Sequence, residues 1–162
     1  MFLYQLSYVV RKPLVNSYKI NYLETEWRTI VEWLESIYKN GGEFIVEKVQ
    51  PVDNDGLYVE FREVTGFIIY DRYSFVCDPR YGYLLACSID ECERYPQGGY
   101  FSLLNNSAEK PTEVFVFSPY DDEWEAQYVN QDFSIALYVF REIYDNGELS
   151  EETLKKWFTR TF

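Results

Sequence analysis

Between Glu43 and Cys87 the chain alternates short β-branched and aromatic runs with turn residues, and this spacing constrains the fold more than any other feature. Glu-Phe-Ile-Val-Glu-Lys-Val at 43–49 is followed by Asp53-Asn54-Asp55-Gly56, a run from Leu57 to Val64, and a turn at Thr65-Gly66. Phe67 to Tyr70 comes next, then two more apolar runs around Asp78-Pro79-Arg80-Tyr81-Gly82. Runs this close are joined only by turns of roughly two to five residues, which makes neighbours antiparallel. Along the clearest run, Leu57, Val59 and Phe61 share one face while Tyr58, Glu60 and Arg62 share the other. Period-two alternation of this kind gives a sheet one dry side and one wet side.

On either side of this meander the pattern predicts further elements. Residues 2–10 read as a first strand ended by Arg11-Lys12-Pro13, and residues 13–22 as a connection. Trp27, Ile30, Val31, Leu34, Ile37 and Tyr38 then recur at helical spacing, with Thr25 as the expected N-cap and Asn40-Gly41-Gly42 as the stop. After an acidic loop from Ser88 to Gly99, residues 99–104 and 113–117 read as two more strands. Residues 118–125 read as a second acidic loop. A second helix is predicted from Asp132 to Asn146 with Phe133, Ala136, Leu137, Phe140 and Tyr144 on one stripe. Ser150-Glu151-Glu152 opens a short last helix, its Lys155 and Lys156 matched to the C-terminal end of the dipole. The fold class is therefore α+β: an antiparallel meander of about five to seven strands, packed by two main helices and a short C-terminal one, in a single domain over 1–162.

Composition excludes several chemistries. The chain has no histidine, which removes the commonest general base and metal ligand together. Cys77, Cys87 and Cys92 are an odd count without zinc-site spacing, and the turn at 78–82 sets Cys77 opposite Tyr83 rather than Cys87. Reduced thiols in the cytoplasm are the expectation. No basic segment precedes the apolar N-terminal run and no apolar run nears the roughly 20 residues that span a bilayer, so no membrane partner is expected. Asp53-Asn54-Asp55-Gly56 opens like a calcium loop, but the twelfth position, where a bidentate acid belongs, is Val64. No metal, cofactor or catalytic residue is assigned. Asp90, Glu91 and Glu93 are the residues a carboxylate-dependent enzyme would use, and this is the minor alternative.

What remains is acid and aromatic surface. With 27 acidic against 15 basic residues the net charge is -12, a field that repels nucleic acid and attracts a basic protein. The acid concentrates between residues 100 and 130, where Glu109, Glu113, Asp121, Asp122, Glu123 and Glu125 face only Lys110. Aromatic side chains supply large contact area at low entropic cost. The expected partner-binding residues are therefore Tyr120, Asp121, Asp122, Glu123, Trp124 and Glu125, with Asp90, Glu91, Glu93 and Tyr95 secondary.

Three motifs carry a family resemblance: the Trp27-x-x-Ile30-Val31-x-x-Leu34 helix followed by Gly41-Gly42 and strand 43–49, the Gly56-Leu57-Tyr58-Val59 strand opening, and the ending Asp132-Phe133…Phe140-Arg141-x-Ile143-Tyr144-x-x-Gly147-Glu148-Leu149-Ser150. Together they resemble the small acidic immunity proteins of bacterial polymorphic-toxin and contact-dependent growth-inhibition systems. The resemblance implies a cytoplasmic protein that neutralises the toxin domain of one cognate effector, often a nuclease, without catalysis of its own. An acidic nucleic-acid mimic that inhibits a host nuclease uses the same physics and is the alternative.

Overall fold

The computed structural model describes residues 3–10, 15–21, 25–52, 66–91, 95–118 and 121–161. β1 (Leu3–Val10) and β2 (Val15–Asn21) form an antiparallel hairpin, so a strand lies where the sequence suggested a connection. The sheet therefore does not end at residue 10, and Arg11-Lys12-Pro13 lies outside the described residues. After α1 (Trp27–Asn40) come β3 (Gly42–Val52), β4 (Gly66–Asp78), β5 (Gly82–Ile89) and β6 (Gly99–Leu103), each antiparallel to the next. An antiparallel meander was expected, but β3 pairs directly with β4 and not with the run at 57–64, and β4 joins Phe67–Tyr70 and the apolar run before Asp78 in a single strand. β7 (Val114–Phe117) and β8 (Asp122–Glu125) pair as a separate two-stranded sheet. A 3-10 turn (Ala126–Tyr128), α2 (Phe133–Asn146), α3 (Glu151–Trp157) and β9 (Phe158–Arg160) complete the chain. The main sheet has the order β2-β1-β3-β4-β5-β6-β9, and the architecture is α+β with two main helices and a short C-terminal one.

β1 lies between β2 and β3, and the C-terminal β9 closes the far edge against β6. Neither placement is local enough for periodicity to reveal, and three residues of β9 are too few to show alternation. The strand expected at Leu57–Glu63, with its turns, lies outside the described residues.

Alternation decides which side of the sheet the helices cover. Phe44 and Val46 of β3, Tyr73, Phe75 and Cys77 of β4, and Tyr83, Leu85 and Cys87 of β5 all project to one side. There they meet Ile30, Leu34 and Ile37 of α1 and Ala136, Val139, Phe140 and Ile143 of α2. Burial of these stripes, more than helix propensity, holds both helices in place. The Cys77 thiol, pushed up to about 12 by burial and then by the Asp78 charge, is a packing group and not a nucleophile.

The helix ends follow sequence closely, with one correction. Asp132 accepts from the Ser134 amide at 3.0 Å and Ser150 from the Thr153 amide at 3.2 Å, as N-caps do. Gly147 takes the left-handed cap conformation with φ 78°. Thr25, however, is not the cap of α1: Glu26 occupies that position and makes no side-chain capping bond. The Thr25 carbonyl instead accepts from the Tyr144 hydroxyl at 3.2 Å, so a tertiary contact sets where the helix begins.

At Gly82 the backbone has φ 131°, and a Cβ there would lie 2.2 Å from the Asn130 carbonyl oxygen. That oxygen accepts from the Tyr83 amide at 2.8 Å, tying the segment before α2 to β5. Gly82→Ala is therefore expected to lower stability by about 2 kcal/mol, through strained φ and displacement of this bridge. Urea unfolding measures it, and an unchanged midpoint would show that the bridge is dispensable.

Candidate functional site

The side of the sheet away from the helices presents small and polar residues. Ser74 of β4, Ala86 of β5 and Ser102 of β6 stand in register across three neighbouring strands. β7 and β8 lie over part of this face. In register, Phe115 pairs with Trp124 and Phe117 with Asp122, alternating with Val114–Glu125 and Val116–Glu123. Of the first set, Phe115, Phe117 and Trp124 turn inward and pack with Leu84, Val129 and Tyr128 in a second apolar cluster, while Asp122 stays exposed. The second set faces out, leaving Val114 and Val116 about half exposed. Of the segment read as an acidic loop, Asp122–Glu125 is thus a strand. Acid density concealed an alternation that becomes meaningful only once Val114–Phe117 is paired with it.

A clamp at the β4–β5 turn holds the hairpin down. The Asp78 side chain is 3 % exposed and accepts from Arg80 Nε at 2.9 Å and Nη2 at 2.6 Å. It also accepts from the Ser118 amide at 3.0 Å and the Ser118 hydroxyl at 2.9 Å. Arg80 Nη2 reaches further, donating to the Val116 carbonyl at 3.2 Å and to Ser118 Oγ at 2.7 Å. The Arg80 guanidinium, outweighing burial and helped by the Ser118 and Arg80 donors, holds the Asp78 carboxyl well below the usual carboxylate range. Tyr81 adds a stacked face, its ring 4.8 Å from that of Phe115 and 6.1 Å from that of Phe117.

This clamp presents an acidic tip. Asp121, Asp122 and Glu123 are exposed, and Asp121 has φ 53°, a conformation that aspartate tolerates better than most residues. Trp124 is half-buried, on the inner side, and Glu125 accepts from the Gln127 side-chain amide. Tyr120 lies outside the described residues. The secondary residues are elsewhere. Asp90 and Glu91 are exposed just beyond β5, at the end opposite the 78–82 turn, and Asp90 Oδ1 accepts from the Glu91 amide at 2.9 Å. Tyr95 packs edge-on against Phe101 at 5.6 Å, and Glu93 lies outside the described residues. β5 thus runs between the 78–82 turn, which holds Ser118, and the segment that carries Asp90 and Glu91.

Between hairpin and sheet is a recess of about 320 Å³. The Ser74–Ala86–Ser102 row lines it from the sheet, together with Arg72 and Tyr100, and Trp124 and Tyr128 line it as well. The carboxylates of Glu43 and Asp122 also line it. Sequence reasoning missed Asp78, Arg80, Ser118 and this recess. The Asp78–Arg80 half of the clamp was legible, since Asp78 Oδ1 caps the Arg80 amide at 3.1 Å in an ordinary Asx turn. Its Ser118 half, 40 residues away, left no local signal. Among the described residues no group of three His, Cys, Asp or Glu side chains is placed to hold a metal, and no helix is long and apolar enough to cross a membrane. Compared with protein-family models, curated proteins and solved structures, the chain matches none.

Proposed function

We propose that the protein is a non-catalytic inhibitor that binds a basic protein partner through the β7–β8 hairpin, the partner being the toxin domain of a cognate effector met in the cytoplasm. One observation carries this reading: Asp121, Asp122 and Glu123 are consecutive and exposed, and among the described residues none of them is in an ion pair. Neighbouring carboxylates repel by about 0.5–1 kcal/mol per pair even in water, so this tip adds nothing to the stability of the isolated chain. The Asp78 clamp nonetheless holds it in one place. A cationic surface offered by a partner turns the repulsion into attraction and steers encounter at long range. With a net charge of -12 behind it, the tip sits in a field that adds to its own.

The test takes the C-terminal domain of the product of the gene immediately upstream as the candidate toxin, in co-expression and in surface plasmon resonance. Growth rescue by the wild-type chain is expected, and its association rate should fall at least about tenfold between roughly 50 and 500 mM salt, as the Debye length shrinks. The variant Asp121→Asn, Asp122→Lys, Glu123→Lys retains a residue that tolerates positive φ at 121. It should melt like wild type and associate at least about tenfold more slowly at low salt. Unchanged association by this variant, or binding that is tight and indifferent to salt, would remove the hairpin tip from the interface.

A further inference from the structure

We propose that an extended segment of the basic partner adds to the edge of β8 as a third, antiparallel strand of the hairpin sheet. This rests on the reading that the hairpin meets a basic protein, and it names the form in which that protein is met. The two edges of the hairpin differ. At β7 the edge is occupied: the Val116 carbonyl accepts from Arg80 Nη2 at 3.2 Å, and the Ser118 amide donates to Asp78 at 3.0 Å. At β8 the ladder fixes where each backbone group points. The Ala126 amide donates to the Glu113 carbonyl at 2.7 Å, so Glu113 and Ala126 form a bonded pair, and alternation makes Phe115–Trp124 and Phe117–Asp122 bonded pairs too. The N–H and C=O groups of Glu123 and Glu125 therefore point away from β7. Among the described residues nothing bonds to them, and β7 is the one strand that β8 pairs with.

An unpaired edge accepts an extended peptide through main-chain bonds, and the alternate side chains set which peptide it accepts. Glu123 and Glu125 stand on the outer side of β8. Glu125 keeps the Gln127 side chain as its partner, whereas Glu123 is exposed and, among the described residues, has none. A residue placed directly opposite Glu123 in an added strand shares its side of the sheet, where an opposite charge is favourable and a like charge is not. A second copy of this chain, pairing β8 with β8, would set acid against acid. A basic segment sets a cation there instead. The inner side of β8 has room, because Asp122 and Trp124 line the recess of about 320 Å³ that Ser74, Ala86 and Ser102 line from the sheet. The segment that fits therefore alternates cations on its outer side with small or β-branched residues on its inner side.

The probe is a capped heptapeptide, Thr-Arg-Val-Arg-Val-Arg-Thr, titrated into the 15N-labelled full chain. Its counterpart, Thr-Arg-Arg-Arg-Val-Val-Thr, has the same composition and charge without the alternation. The expected result is a saturable shift and slowed exchange of the Glu123 and Glu125 amides, with the alternating peptide bound at least about threefold more tightly than its counterpart. N-methylation of the central arginine, whose N–H faces β8, should abolish the response, whereas N-methylation of the next valine, whose N–H faces away, should leave it intact. Glu123→Gln keeps the backbone, removes the charge and should weaken binding by about threefold or more. Equal binding of the two peptides, equal loss from either N-methylation, indifference to Glu123→Gln, or silent Glu123 and Glu125 amides would each overturn the proposal. Growth rescue distinguishes the two readings: rescue by the wild-type chain with those amides silent to the peptide removes the added strand alone. Peptide bound at β8 without rescue by the wild-type chain removes the toxin reading alone.

Discussion

Replacing Phe75 with alanine is expected to lower stability by about 3–5 kcal/mol, the range for deleting a buried aromatic side chain. Phe75 is fully buried in the middle of β4, opposite Phe44 of β3. Its ring lies 5.0 Å from that of Tyr83 and 6.2 Å from that of Phe140, so one truncation opens a void shared by three elements. The cavity cannot collapse easily, because β4 is held on both sides by strands and α2 is held by its own stripe. Against a total of about 5–15 kcal/mol for a typical domain, such a loss is a large fraction of the whole. Ser74→Ala is the internal control: it is one residue away, on the other side of the sheet, and should cost under about 0.5 kcal/mol. Urea unfolding of both variants measures the contrast. Similar midpoints for the two would mean that the helices do not pack on the Phe75 side.

Asp78→Asn is expected to cost about 3 kcal/mol at neutral pH and to loosen the hairpin before the rest of the chain. The charge that binds Arg80 is lost, and one amide oxygen cannot replace the carboxylate oxygen that both Ser118 groups and Arg80 share. The pH dependence has a definite sign. The Asp78 carboxyl is held below its unfolded value of about 3.9, so the unfolded chain binds the proton more readily over that interval. The stability contributed by Asp78 is fully present above about pH 5 and is lost as pH falls through the lower, folded-state value. The wild-type advantage over Asp78→Asn should accordingly be flat from about pH 6 to 8 and shrink below about pH 4. The Trp124 indole N–H, followed by NMR, reports the hairpin separately from global unfolding. An advantage that grows toward acid, or a Trp124 signal unmoved by the variant, would show that Asp78 does not hold the hairpin.

Much of this architecture was legible before any coordinates, for local reasons. The Asp132 and Ser150 caps and the Gly147 stop are each decided within four residues by hydrogen bonds of short side chains or by positive φ. The opposition of Cys77 to Tyr83 follows from counting around a short turn. The stripe Ile30–Leu34–Ile37 comes from the helical period itself, whereas the stripe expected on α2 caught Ala136 and Phe140, left out the buried Val139 and Ile143, and included Phe133, Leu137 and Tyr144, which are only partly buried. The site was less legible. Asp121, Asp122 and Glu123 stood out as acid and prove exposed, yet Trp124 beside them turns inward to the second cluster. Asp90 and Glu91, expected to assist them, emerge at the other end of β5.

The sequence by itself determined most of the elements, though not β2, β8 or β9: which runs alternate with period two, which recur with the helical period, and where small polar residues or glycine end them. Tertiary structure alone decided the arrangement that bears on binding. It placed β1 between β2 and β3, added β9 to the edge at β6, and paired Asp122–Glu125 with Val114–Phe117. It also joined Asp78 to Ser118 across 40 residues and aligned Ser74, Ala86 and Ser102 into one row. The physical reason is common to all of these. Each depends on register between segments far apart in the chain, and because side chains alternate at every residue, a shift of one position would carry Trp124 or Ser74 to the opposite face.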